Sequence, residues 1–478
     1  MAMGDFQTIT LIYPRYKWYE ANGLGEPLGI LTLVAMLKQN NYDVRFHDLT
    51  FRDDLSCLDK DVSESDLVGM TVSSALFGKA KIVMDHITKV NPNATFIAGG
   101  PHATFWPHEV LDSGFQYAFQ GEAELSFQAF LEAADEQERK TTKGLAHKEN
   151  GKIVINERMP YIQDLDALPF PDRTVIEYDK YIDGADGWRF EIGMLKTRGC
   201  DGKCIYCAPT LPTLFGTARS RSPKHVVDEL GYALEVVGRK RRVYFKDDTF
   251  TEPGIEWVSK FHDLLRERRI KLRWHCNTRA DAVTFEMLKL MRDVGCECIS
   301  FGVESGSPKI LEFYRKEVDI SVVEQAFSWC HRVGIEATSN IMLGAPMETL
   351  EDLEMTYQLV RRIKPDDLTV YYCTAMPGKD IYDWAVENDV LKGKISYEEF
   401  DTALNREVGN VNMHLKHLTI DQINQYKRKL EAYRSRRKLT SPRNVAKWLR
   451  ELVGSPGEAL TKARFVLQKL PIIETHHH

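Results

Sequence analysis

Three cysteines at Cys200, Cys204 and Cys207 constrain this chain more than any other feature, because the run Thr197-Arg-Gly-Cys-Asp-Gly-Lys-Cys-Ile-Tyr-Cys207 gathers three thiols in one short loop. A cubane iron–sulfur cluster takes four ligands, normally four cysteines, so a loop supplying three leaves one iron open to a small chelating molecule. A structural zinc site would instead want paired Cys-x2-Cys or Cys/His ligands closing the fourth position. A disulfide would leave an odd thiol and needs an oxidising compartment. The spacing therefore predicts a catalytic [4Fe-4S] cluster held by Cys200, Cys204 and Cys207.

At 478 residues the chain exceeds what one core supports, and two or three domains are expected. With 43% hydrophobic and 28% charged residues the composition is that of a soluble globular protein. The longest apolar stretch, residues 29 to 37, is too short to span a bilayer, so no membrane span is expected. Nine cysteines and no secretory signal point to a reducing cytoplasm. A net charge of -6 argues against a nucleic-acid partner, yet residues 420 to 470 carry 13 Lys/Arg against 4 Asp/Glu. That region reads either as a solvated basic face or as a surface for an acidic partner or anionic lipid, a peripheral membrane contact. His476 to His478 are read as part of a purification tag and set aside.

Up to about residue 135, β-branched runs alternate with helical stretches: Gln7–Tyr13, Tyr42–His47, Leu67–Val72, Ala94–Ala98 and Tyr117–Gln120, separated by Leu28–Gln39, Gly78–Val90 and Glu122–Ala134. This order implies a doubly wound, Rossmann-like parallel sheet in an α/β protein. Such sheets bind ligands beyond the carboxyl ends of their strands. Thr71, Ser73 and Ser74, then Gly99, Gly100, Pro101 and His102, then Gly121 and Glu122 occupy those loops. Residues 136 to 190, rich in charge and turn formers, read as a linker. The β/α rhythm resumes over 191 to 394, with strands near Glu191–Thr197, Arg242–Lys246, Leu272–Asn277, Cys298–Val303, Ile335–Leu343 and Leu368–Cys373. Six repeats suit a partial (β/α)6 barrel, whose chemistry would sit at the strand carboxyl ends. Residues 395 to 478 read as a small helical cap, with periodic apolar residues through Ile420–Leu430, Val445–Leu452 and Ala459–Leu470.

The Cys-x3-Cys-x2-Cys spacing, with the aromatic Tyr206 before its last cysteine, resembles the radical S-adenosylmethionine (SAM) superfamily. The first domain, with Glu26-Pro-Leu-Gly29 opening its first helix, resembles the cobalamin-binding domain found ahead of many such enzymes. This resemblance implies three cofactors: the [4Fe-4S] cluster, SAM chelated to its open iron, and cobalamin lying on Thr71, Ser73, Ser74, Gly99, Gly100, Pro101, His102, Gly121 and Glu122. It implies SAM contacts from Tyr206, Asp247, Asp248, Arg279, Glu304 and Ser305. Gly302-Val-Glu-Ser-Gly306 is similar to the family's glycine–glutamate segment, and Gly344-Ala-Pro-Met-Glu-Thr349 to its turn beside the adenine. One departure matters. The loop from Pro14 to Glu26 lacks the histidine that coordinates cobalt in many cobalamin domains, so no imidazole ligand on cobalt is expected.

By the same resemblance, one SAM methylates cob(I)alamin, a second yields a 5′-deoxyadenosyl radical that takes hydrogen from an unactivated sp3 carbon, and the substrate radical receives the methyl group. The expected product is C-methylated. A flavodoxin- or ferredoxin-type protein would supply electrons. Peptide or protein side chains, such as the glutamine of methyl-coenzyme M reductase, lipids such as hopanoids, and antibiotic precursors are all compatible substrates. An oxidative or ring-forming cobalamin enzyme, as in the anaerobic cyclase of bacteriochlorophyll synthesis, is the alternative. A methylthiotransferase would need a second cysteine-held cluster, and only Cys57 precedes the barrel. A non-catalytic cobalamin carrier or light sensor has no use for the three-thiol loop. Tyr371 and Tyr372, near a strand end, are catalytic candidates that more simply pack in the core.

Overall fold

The computed structural model describes residues 6–14, 25–52, 54–182, 191–207, 216–238, 242–376, 378–393 and 411–440. It divides into two compact units: residues 1–203, 207–276 and 394–404 form the first, and residues 204–206, 277–393 and 405–478 the second.

The first unit opens with β1 (Thr8–Tyr13), α1 (Leu28–Gln39), β2 (Asp43–Asp48), β3 (Leu67–Thr71), α2 (Ser74–Val90), β4 (Thr95–Gly99), β5 (Tyr117–Phe119) and α3 (Ala123–Glu132). The five strands are parallel in the order β2-β1-β3-β4-β5, so the strand order reverses beside β1. Strand alternation sends Leu11 into an apolar cluster with Val34, Ile97 and Phe127, and Ile12 into another with Met70, Phe77 and Val83. Both faces are thus covered, which is why β1 and β3 read as near-continuous apolar runs.

Part of the expected linker belongs to this sheet. Residues β6 (Leu145–Glu149) and β7 (Lys152–Ile155) add two antiparallel strands beyond β5. Asn150 and Gly151 join them with φ of 48° and 77°, the left-handed pair of a tight hairpin turn. That dipeptide was the available signal, and Leu145 and Ala146, both fully buried, face opposite sides of the sheet and pack into its two apolar clusters.

The same unit continues with β8 (Glu191–Met194), the short antiparallel ribbon β9 (Thr197–Arg198) and β10 (Arg219–Ser220), α4 (Pro223–Val237), β11 (Arg242–Phe245), α5 (Ile255–Glu267) and the first three residues of β12 (Trp274–Thr278). β8, β11 and β12 are parallel, with Tyr244 opposite both Gly193 and His275. Phe245 and Trp274 pack against Phe261 of α5 on one face. Glu191, Arg242, Tyr244 and His275 therefore project from the other.

In the second unit, α6 (Phe285–Asp293), β13 (Cys296–Glu304), α7 (Ile320–Val333), β14 (Glu336–Leu343), α8 (Leu350–Ile363) and β15 (Asp367–Tyr372) continue the β/α alternation, and the three strands are parallel. Thr349 and Asp352 form a reciprocal capping box that starts α8 directly after the Gly344–Thr349 turn. α9 (Ile420–Thr440) follows. The helical segments expected at Val445–Leu452 and Ala459–Leu470 lie outside the described residues, as does most of the loop between β1 and α1.

Candidate cobalamin and SAM sites

At the carboxyl edge of the first sheet lies a cavity of about 290 Å³. Thr71, Gly99, Gly100, Pro101, Gly121 and Glu122 line it together with the apolar side chains of Leu11, Ile97 and Phe127. The missing side chains shape it: Gly100 has φ +98°, and a Cβ there would lie 2.9 Å from Val72 O. Gly99 is different, since an added Cβ would meet nothing within 4 Å and would simply project into open space. An apolar, glycine-walled slot at the point where strand order reverses suits a flat heteroaromatic group.

Three expected contacts are absent from its wall. Ser73 is the residue before α2, and Ser74 Oγ instead meets His102 Nδ1 at 3.1 Å. His102 is fully buried, tilted against the rings of Phe77 and Trp106 at 4.3 and 5.2 Å, and burial pushes its imidazole down to about 4. It is a core histidine whose ring packs against Phe77 and Trp106 and does not line the cavity. Glu122 does line the cavity, but its carboxylate is already held by Arg219 and by the amide of Ile162.

The opposite wall comes from the segment leading to the first cluster cysteine: Leu195, Thr197, Arg198 and Gly199, with Asp248 beyond β11. Burial, then the neighbouring Asp247 carboxylate, push the Asp248 carboxyl up to about 6, although the side chain reaches solvent through the cavity. Asp247 takes a different role from the SAM contact expected of it. It is 1% exposed, and its Oδ1 accepts from the amides of Lys196 and Thr197 at 2.9 and 2.6 Å, bracing the turn between β8 and β9. Lys196, also fully buried, lies over the rings of Phe250 and Trp257, and burial lowers its ammonium to about 8.

The thiols of Cys200, Cys204 and Cys207 are in no disulfide and are partly exposed. They are soft donors of the kind an iron–sulfur cluster requires, although among the described residues no three metal-ligating side chains are drawn into a formed cage. Tyr206 sets its ring edge-on to that of Tyr314 at 5.1 Å.

In the second unit, Glu304 ends β13 with φ +63°, a left-handed conformation unusual for glutamate. Lys316 Nζ holds its Oε1 at 3.1 Å, and the pair sits over Gly302, where a Cβ would come within 2.5 Å of that oxygen. Ser305, expected beside SAM, is fully buried and bonded to Thr356 Oγ1 of α8 at 3.1 Å, so its work is packing. Arg279 makes a two-pronged pair with Asp281 at 2.9 and 2.6 Å. Tyr372 faces α9, donating its hydroxyl to Asn424 Oδ1 at 2.6 Å, which removes it from the catalytic candidates. Tyr371 alternates to the other face of the strand and stays partly exposed.

The sequence reading missed a buried ionic network. Glu26 Oε1 accepts from Arg173 Nη1 at 2.6 Å and from the Tyr178 hydroxyl at 3.2 Å, while Arg173 Nη2 reaches Glu229 at 2.9 Å. Nothing in local spacing could reveal a pair separated by 147 positions. Glu348, the glutamate of the Gly344–Thr349 turn, accepts from Gly344 N through its Oε2 at 2.6 Å, and burial pushes it up to about 8.

Residues 194–360 match the radical SAM superfamily, and residues 19–131 match the B12 binding domain. The chain is 30% identical over 417 residues to the uncharacterized methyltransferase PH0819 of Pyrococcus horikoshii, covering 85% of this chain and 86% of that protein. This chain belongs to the cobalamin-dependent radical SAM methyltransferase family. Its cofactors are accordingly a [4Fe-4S] cluster, SAM and cobalamin. Another relative of this radical SAM enzyme is the anaerobic magnesium-protoporphyrin IX monomethyl ester cyclase of Rubrivivax gelatinosus, 29% identical over 78% of this chain and 69% of the cyclase. The fold is shared with two solved cobalamin-dependent radical SAM proteins. OxsB aligns with TM-score 0.74 and 15% identity over 95% of this chain and 72% of its own. TsrM from Kitasatospora setae aligns with TM-score 0.65 and 18% identity over 80% and 75%. Enzymes of this superfamily require a reductant and a substrate. Among the described residues no helix is long and apolar enough to cross a membrane.

Proposed function

We propose that the enzyme methylates an unactivated sp3 carbon of a polar substrate, a peptide or protein side chain being the favoured class and the glutamine of methyl-coenzyme M reductase one compatible case. The observation that carries the reading is the shared wall of the 290 Å³ cavity: the Thr197–Gly199 segment that bounds the slot assigned to cobalamin runs directly into Cys200. When bound, cluster and SAM supply a 5′-deoxyadenosyl radical and the corrin supplies a transferable methyl group.

The chain's own residues have separable tasks in this scheme. Cys200, Cys204 and Cys207 would hold the cluster. Asp248 stands at the cavity wall, where a carboxyl raised to about 6 is still mostly ionised at neutral pH and suited to an ammonium group. Glu304, fixed by Lys316, offers a carboxylate for vicinal hydroxyls. The glycine walls and Phe127 give the slot a largely apolar lining.

The helices leave uncovered one polar face of β8, β11 and β12, towards the amino ends of those strands. There His275 Nε2 meets Glu191 Oε2 at 2.6 Å, Arg242 Nη1 meets Glu191 Oε1 at 3.1 Å, and Tyr244 stacks on His275 at 4.2 Å. Inward-facing strand residues line the lumen of a β/α barrel. A flavodoxin- or ferredoxin-type donor would deliver the electrons in a cytoplasmic setting.

The likeness to the cyclase supports a second reading, radical oxidation or ring closure without methyl transfer. Turnover with methyl-deuterated SAM separates the two. Product heavier by one labelled methyl group is the expected outcome, and product formed with no label retained abandons methyl transfer.

A further inference from the structure

We propose that Arg198 is a positioning residue that couples occupancy of the corrin cavity to the loop carrying the cluster ligands, an inference that rests on assigning the cavity to cobalamin. Arg198 ends β9, two residues before Cys200. Its guanidinium crosses to the other wall of the cavity, where Nη2 meets Glu124 Oε1 at 2.5 Å and Nη1 meets Glu122 Oε1 at 3.3 Å. Both carboxylates belong to the stretch that follows β5, enters α3 and lines the cavity.

The two acids are not held alike. Glu122 has independent anchors in Arg219, at 2.9 and 3.1 Å, and in the Ile162 amide at 2.8 Å. Glu124 takes its ion pair from Arg198. Burial alone would push the Glu124 carboxyl up, but the Arg198 guanidinium outweighs it and holds the group below the usual carboxylate range. This pair is therefore charged and only slightly exposed, and side-chain exposures of 19% and 6% leave water little access to replace either partner.

Between Arg198 and Cys200 the backbone has no slack. Gly199 has φ +84°, and a Cβ on it would lie 2.5 Å from Thr217 O and 2.6 Å from Gly216 O. A shift of the α3 wall must accordingly pull on Arg198, and the short wedged turn passes the shift to Cys200. Coupling of two sites through one element is reciprocal, so ordering the cysteine loop with its cluster must change corrin affinity by the same factor.

The test is anaerobic hydroxocobalamin binding to the full chain, before and after cluster reconstitution. The unsubstituted protein should show a ratio of dissociation constants of about five or more. Arg198→Gln should bring that ratio to one, Arg198→Lys should restore part of it, and Glu124→Gln, which removes the same pair from its other end, should reproduce the loss if Arg198→Gln folds poorly. A ratio of one in the unsubstituted protein, or an unchanged ratio in both glutamine variants, overturns the proposal. Gly99→Trp, which fills the slot, isolates the underlying assignment. Full cobalamin affinity in that variant overturns the cavity reading itself, whereas lost affinity there with an unchanged ratio in the glutamine variants overturns only the coupling.

Discussion

The carboxylate of Glu26 and the guanidinium of Arg173 meet at 2.6 Å with both side chains fully buried, and together they close the free edge of β8. Gly193 N donates to Glu26 Oε2 at 2.9 Å, and Gly193 O accepts from Arg173 Nη2 at 2.7 Å. The pair thus satisfies the hydrogen bonds that a neighbouring strand would otherwise make. Glycine is required at 193 because a Cβ would lie 2.9 Å from Glu26 Oε2.

Removing the cation should be costly. Arg173→Met leaves Glu26 and Glu229 buried without their partner, and such a change is expected to destabilise by about 3–5 kcal/mol. Urea unfolding of the apoprotein measures it. A loss below about 1 kcal/mol would show that the clamp is dispensable.

Replacing Cys200, Cys204 and Cys207 together by alanine should abolish bound iron and sulfide and all 5′-deoxyadenosine formation, while cobalamin binding persists with a shift set by the cluster coupling. Iron and sulfide analysis of anaerobically reconstituted protein reads the first outcome. Wild-type iron content in the triple variant would refute the ligand assignment.

Cob(II)alamin bound to the chain should give an electron paramagnetic resonance spectrum without nitrogen splitting from a lower ligand, and His102→Phe should leave that spectrum unchanged. The reason is structural: His102 is packed against the rings of Phe77 and Trp106 and lies outside the cavity wall. A nitrogen splitting lost in the variant would reverse the conclusion.

Glu348 predicts a pH dependence of stability. Its carboxyl is raised from 4.5 to about 8 in the folded chain, and no hydrogen-bond partner meets its Oε1. Between those values the folded state binds the extra proton, so stability is full below about pH 4.5 and declines as pH rises towards 8. At about 1.4 kcal/mol per unit over the interval from 4.5 to about 8, the loss is on the order of 5 kcal/mol. Glu348→Gln keeps an acceptor for Gly344 N but cannot ionise. Denaturation midpoints from pH 5 to 9 should therefore be flatter for the variant; parallel curves would refute the assignment.

The sequence by itself determined what chemistry the chain carries and the order of its elements. Three thiols at fixed spacing are a local property, and helix α1 was delimited correctly because its apolar period and flanking residues are local as well. The hairpin of β6 and β7 was legible only through Asn150-Gly151, since short strands with mixed polarity carry little periodic signal.

Which strand-end polar groups bond within the protein and which stay accessible was decided by tertiary structure. Asp247 and Asp248 are neighbours at one strand end, yet packing turns the first inward onto the Lys196 and Thr197 amides and leaves the second exposed, while Glu304 and Ser305 are both buried, on Lys316 and Thr356. Glu26, Arg173, Arg198 and Glu124 acquire their roles from partners 74 or 147 positions away. Charge pairing depends on separation in space, and a linear pattern records separation along the chain.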